Sequence, residues 1–247
     1  MDKVLYLAMS GARENMLAQQ THANNLANAN TTGFKSDLAQ ARAMQVFGEG
    51  HASRVYAQTE RPATDLTHGT LIETGRMLDV ALAGDGWMTV LKPDGTEGYT
   101  RGGKLQINAA NQLVTGSGLP VMGNGGIPVV LPPFDSIEIA TNGTITIRPL
   151  GENAAELVVA DQLKLVNPDP QTLFKGTDGL MTTGANAPVD VDPNVRVRSG
   201  YTESSNVNAV TELTGIITTS RQFEMQIKMM KTAEENSEAA AAILRMS

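Results

Sequence analysis

The chain has 247 residues, a formal net charge of −7 and no cysteine. That length can bury a real core as one large or two small domains. The acidic balance argues against nucleic acid as a partner, and the missing thiols exclude disulfides and cysteine-ligated zinc. Aromatics make up only 4%, a lean core that favours stability borrowed from assembly. No apolar run approaches the roughly 18 residues of a membrane span, so no membrane insertion is expected. The run Val4–Met9 after Asp2 and Lys3 is too short and too poorly flanked for a cleavable signal peptide.

From Asp2 to Asn28 the spacing predicts a helix. Leu5, Ala12, Gln19 and Leu26 form one seven-residue series, and Met9, Met16 and Ala23 form the other. Small residues at Ala12 and Ala23 admit a close neighbour. By spacing alone this is an ordinary amphipathic helix, marginal in water without packing. The string ANNLANANTTGFK, Ala23 to Lys35, supplies residues that tolerate left-handed backbone, so Asn28–Gly33 reads as a helix exit and turn, with Phe34 folding back on the last turn. Helix formers over Ser36–Met44 leave its conformation open. The polar run to Leu66, with Gly48, Gly50 and Pro62, reads as a linker or extended segment over 36–68. His22, His51 and His68 are scattered without ligand spacing and read as solvated or lightly buried.

Residues 69–204 change texture to short strands and turns, an all-β domain. Leu78–Leu82 and Trp87–Leu91 flank Gly84-Asp85-Gly86; Asp94-Gly95 marks a turn. Lys104–Ile107 and Gln112–Thr115 follow. Ile137–Ala140, Asn142-Gly143 and Thr144–Ile147 make the clearest hairpin. Leu157–Val159, Leu163–Val166, Leu173–Phe174 and Val195–Val197 are further strand-like runs. The glycine clusters at 116–118 and 123–126 lead into no helix and read as turns, not phosphate loops. Asp190-Val191-Asp192 lacks the glycine and glutamate of a calcium loop. Lys164, Arg196 and Arg198 read as solvated faces, and Trp87 as core. No catalytic residues, cofactor or metal are expected.

From Ala209 to Ser247 there is no proline and one glycine, Gly215. Leu213, Ile216, Phe223, Ile227, Met230, Ala241 and Leu244 fall on two interleaved seven-residue series, and Gln226 falls on the neighbouring face. Asn208 is a natural N-cap, with Glu212 in the first turn. Such a helix is about 58 Å long and needs another to lie against; the N-terminal helix is the expected partner. The fold class is α+β: long N- and C-terminal helices forming a coiled-coil stalk, with a central all-β domain. The expected segments are 1–35, 36–68, 69–204 and 205–247.

Asn25-Leu26-Ala27-Asn28, followed by Asn30-Thr31-Thr32-Gly33-Phe34-Lys35, resembles the N-terminal signature of the bacterial flagellar axial proteins, the rod and hook family. The runs Arg76–Leu82, Gly84–Trp87, Gly98–Arg101, Pro120–Ile127, Ser204–Asn208 and Arg221–Met225 are similar to its proximal-rod branch. Trp87 stands where hook and distal-rod relatives usually carry Phe. Asn142-Gly143 in place of Asp-Gly, and Arg101-Gly102-Gly103 without the usual Asn, read as changes in surface turns.

The resemblance implies a non-enzymatic structural subunit of the flagellar basal-body rod. It would be exported without signal-peptide cleavage through the flagellar type III export apparatus, and would join other rod proteins, proximal and distal, and copies of itself in a helical, torque-transmitting assembly across the periplasm. The apolar series Leu5, Met9, Ala12, Met16, Ala23, Leu26, Leu213, Ile216, Phe223, Ile227, Met230 and Leu244 are the expected assembly interface. The alternatives are a distal rod protein of the same family, or a soluble β-domain enzyme or binding module with a helical dimerisation stalk. A cleft gathering perturbed carboxylates would favour the enzyme.

Overall fold

In the computed structural model the described residues are 2–38, 41–45, 55–59, 63–150, 157–184 and 188–245. An N-terminal helix, α1 (Asp2–Ala27), precedes a β-rich middle and a C-terminal helix, α2 (Ala209–Arg245), so the chain is α+β. The chain divides into two compact units. One comprises Met1–Ala29, Ser36–Asp65 and Val207–Ser247; the other comprises Asn30–Lys35 and Leu66–Asn206. Residues 30–35, at the end of the expected segment 1–35, cluster with the β-rich unit.

In the first unit α1 and α2 run antiparallel. His22 meets Glu212, Gly11 lies against Gln226, and Leu5 shares a groove with Met230 and Glu234. The Asn208 carboxamide oxygen accepts from the amides of Val210 and Thr211, at 3.0 and 3.2 Å, satisfying N–H groups that the helix itself leaves unpaired. The segment 36–68, expected as a linker or extended segment, contains short paired strands among the described residues. Ala41–Gln45 pairs antiparallel with Val55–Thr59, Ala43 opposite Ala57, and Asp37–Leu38 pairs with Ala63–Thr64. These strands are mostly small or polar and lack apolar alternation, so period alone could not reveal them.

In the second unit a five-stranded sheet has the order Leu165–Val166, Trp87–Leu91, Glu97–Thr100, Met181–Thr183, Leu173–Lys175. Phe134–Ile139, Thr144–Pro149 and Val158–Gln162 form a three-stranded sheet, and the pairings in both are antiparallel. The Asn142-Gly143 hairpin forms, with Gly143 at φ +82° and Ile137 opposite Ile147. Two-stranded ladders join Val80–Ala83 to Arg196–Ser199 and Leu71–Glu73 to Tyr201–Glu203. The second of these brings the end of the unit back to its beginning, a pairing of distant segments that short-range patterns do not announce. Inward residues such as Val90, Leu105, Leu113, Val121, Ile145 and Leu163 form the main core. Trp87, Tyr99, Val166, Leu173 and Met181 form a smaller one.

Candidate functional site

The seam between α1 and α2 is built from small and polar side chains. Ala8 and Ala12 of α1 and Thr219 of α2 are buried. A Cβ at Gly11 would lie 2.9 Å from Gln226 Nε2, and one at Gly215 would lie 2.8 Å from His22 Cε1, so each glycine admits a polar side chain from the opposite helix. Gln226 is therefore in the seam and not on a solvated face. His22 Nδ1 meets Glu212 Oε2 at 2.6 Å, a contact between residues 190 positions apart in sequence.

The apolar series are split, part in this seam and part left exposed. Leu5, Met9, Met16, Leu213 and Ile227 are exposed, as is Ala23, whereas Leu26, Ile216, Phe223 and Met230 are half-buried and Ala12 is buried. The Leu244 side chain lies outside the described residues. Tyr6, Leu17, Val210, Ile217, Met225 and Met229 are also exposed. Leu5, Ile227, Met230, Lys231 and Glu234 line an open groove. So much apolar surface on one pair of helices is characteristic of an interface. Thr214, Thr218 and Thr232 donate their hydroxyls to carbonyls four residues back in α2, at 2.8, 2.9 and 3.0 Å. Each hydroxyl is thereby satisfied within its own helix.

The signature Asn25–Phe34 divides into two jobs. Asn25 is buried and reads the backbone of Asp37 in both directions: Nδ2 donates to Asp37 O and Oδ1 accepts from Asp37 N, both at 2.9 Å. Its amide also donates to Glu212 Oε1 at 3.3 Å. Asn28 Nδ2 donates to Asn24 O at 3.0 Å, closing the end of α1; Leu26 is half-buried and Ala27 exposed. Thr32, Gly33 and Phe34 belong to the other unit. The Phe34 ring lies 3.8 Å from the Lys175 ammonium, a face that cation–ring attraction rewards. Gly33 has φ +69°, and a Cβ there would collide with the main chain of Arg101. Gly33→Ala should accordingly destabilise the chain by about 1–3 kcal/mol, measured by denaturant unfolding, whereas the open Gly75 supplies a control that carries only the backbone penalty.

Beside that glycine lies a buried cluster of three charges. Glu203 is 1% exposed, Arg101 2% and Lys35 3%. Lys35 Nζ donates to Glu203 Oε1 at 2.9 Å and Arg101 Nε donates to Oε2 at 2.6 Å. The other guanidinium nitrogens donate to Gly86 O and Gly84 O at 2.6 and 2.9 Å, and Gly69 N adds a third donor to the carboxylate. Arg101 is thus no surface-turn residue, and its guanidinium sits 5.8 Å from the Trp87 ring centre.

Burial pushes the Glu203 carboxyl up, but the Lys35 hydrogen bond and the Arg101 charge outweigh it and hold it below its usual range. A depressed folded value means that the stabilisation is complete above the unfolded carboxylate range and is lost as pH falls through the folded one. Fluorescence of Trp87, the chain's single tryptophan, should stay constant from neutral pH through the ordinary carboxylate range and change only below it. Lys164 was likewise expected on a solvated face, but it is buried and donates to Glu97 Oε1 at 2.6 Å. Neither carboxylate of these pairs is free to act on a ligand.

Comparison with known proteins matches three segments: residues 5–35 to the family model for flagella basal body rod protein, 81–147 to that for the flagellar hook protein FlgE/F/G D1 domain, and 198–243 to that for the C-terminal region of flagellar basal body rod FlgEFG proteins. The flagellar basal-body rod proteins FlgF of Salmonella typhimurium and Escherichia coli are each 39% identical over 253 residues, covering 100% of both chains. The chain belongs to the flagellar basal-body rod protein family, in its FlgF-like branch. A flagellar basal-body rod protein FlgG, from Agrobacterium fabrum, is 37% identical over 261 residues, covering 92% of this chain. The end-to-end FlgF matches favour the proximal-rod reading over its distal alternative. Lys35, Arg101 and Glu203 fall one in each of the three matched segments, so the cluster joins all three parts of this FlgF-like chain.

Proposed function

We propose that the chain is a non-enzymatic structural subunit of the proximal part of the flagellar rod, joining other rod proteins and copies of itself helically through α1 and α2 to transmit motor torque. The observation that carries this is the apolar surface left open on the helix pair. Ile217 and Met229, both exposed, stand about 120° apart around α2 at roughly 100° per residue, so one neighbour cannot cover them. Repeated contacts that do not close into a ring generate a helical filament. Positions 212, 216, 219, 223, 226, 230 and 233, among the less exposed of α2, alternate steps of four and three, which supports coiled-coil packing of the pair. Export through the flagellar type III apparatus without signal-peptide cleavage completes the reading. None of the helices in the described residues is long and apolar enough to cross a membrane.

Basal bodies purified from cells carrying an epitope-tagged copy should contain this chain at their proximal rod. A deletion strain should lack a complete rod and not swim. Complete rods in the deletion strain would overturn the reading.

A further inference from the structure

The chain passes between its two units four times, after Ala29, Lys35, Asp65 and Asn206. On the β-rich side all four passages converge on one set of contacts. Lys35 Nζ donates to Thr67 O at 2.7 Å as well as to Glu203. Gly33 N donates to Glu203 O at 2.8 Å, and Asn206 N to Phe34 O at 3.4 Å. The Asn206 carboxamide donates to Thr67 O at 3.2 Å. Arg101 then ties the Glu203 carboxylate to the carbonyls of Gly84 and Gly86. Residues 30–35, 66–69 and 203–206 are thereby held to each other and to the sheet-bearing core.

We propose that Lys35, Glu203 and Arg101 are a clasp that holds the β-side ends of all four passages in one arrangement, so that force arriving along any of them is shared by the whole β-rich unit. The clasp itself is a property of the single chain; its force-bearing use rests on the rod reading above. Under torsion, unclasped segments of the β-rich unit would extend one at a time, whereas clasped ones are loaded together.

The test uses the purified full chain and Lys35→Met, which removes the ammonium but leaves the Glu203–Arg101 pair neutral. Thermolysin cleavage near Phe34 and Leu66 should accelerate about tenfold, since cleavage follows the population of the opened segment. The near-ultraviolet circular dichroism melt of Trp87 should stay within a few degrees of the unmodified chain. Unchanged cleavage would overturn the clasp. So would a collapse of the Trp87 signal with cleavage throughout 66–206, because the cluster would then be ordinary core. In cells, Lys35→Met should leave rods complete but reduce rotation of tethered cells under high load. Rotation at the unmodified rate would overturn the force-bearing use, whereas the deletion strain tests the rod reading separately.

Discussion

A strain whose chain carries Ile217→Asp should secrete the subunit normally, build no complete rod and fail to swim. Ile217 is 48% exposed on α2, away from the seam with α1, so in the isolated chain the new carboxylate is hydrated and the helix pair is undisturbed. In the proposed assembly the same position is covered by a neighbour, and burying an unpaired carboxylate there costs several kcal/mol. A loss of about 4 kcal/mol per contact is roughly a thousandfold in affinity, and in a filament the loss recurs at every subunit. Phe223→Asp is a less clean experiment, because Phe223 is half-buried on the α1-facing side and its loss would damage the pair before assembly begins. Helicity of purified Ile217→Asp should match the unmodified chain within a few per cent of signal. Secretion, rod completion and swimming must be scored in one strain. A swimming cell with secreted Ile217→Asp would remove this face of α2 from the assembly.

The sequence shows both long helices directly, because a run without proline and with seven-residue apolar spacing leaves few other conformations. Hairpins closed by local turns, such as Asn142-Gly143, are equally direct, since both strands and the turn lie in one window. What spacing cannot reveal is which helix face meets its partner. The apolar series are the natural candidates, yet Gly11, Gly215 and Ala12 let α1 and α2 approach through His22, Glu212 and Gln226, and Leu5, Met9, Met16, Leu213 and Ile227 stay exposed.

The charge cluster was hidden for a related reason. Lys35, Arg101 and Glu203 look like isolated surface charges until the fold brings together residues 102 and 168 positions apart. A cation next to glycines, as in Arg101-Gly102-Gly103, resembles a turn; it becomes a buried hub because the carbonyls of Gly84 and Gly86 and the Glu203 carboxylate satisfy it together. The short strands of 36–68 escaped for want of alternation, and their pairing depends on neighbours that a local window does not contain.

Glu203→Gln should lower the melting temperature of the full chain at neutral pH by about 10 °C, for a loss of about 3–5 kcal/mol at roughly 2–4 °C per kcal/mol in a chain of this size. The substitution conserves volume and one hydrogen-bond acceptor but removes the carboxylate that Lys35 and Arg101 share. Two cations, 3% and 2% exposed, would then lose the carboxylate that they share, and removing one partner of a buried ion pair costs far more than the intact pair contributes. Combining Glu203→Gln with Lys35→Met should recover part of the loss, because one of the two buried cations that Glu203 pairs with goes with it; the shortfall from additivity measures their coupling. The difference between Glu203→Gln and the unmodified chain should shrink as pH falls below the ordinary carboxylate range. Protonation turns Glu203 into a neutral isostere of glutamine, and its depressed folded value means that folding then works against the proton. Equal melting temperatures at neutral pH, or a difference that widens toward acid, would show that the carboxylate is not what neutralises Lys35 and Arg101.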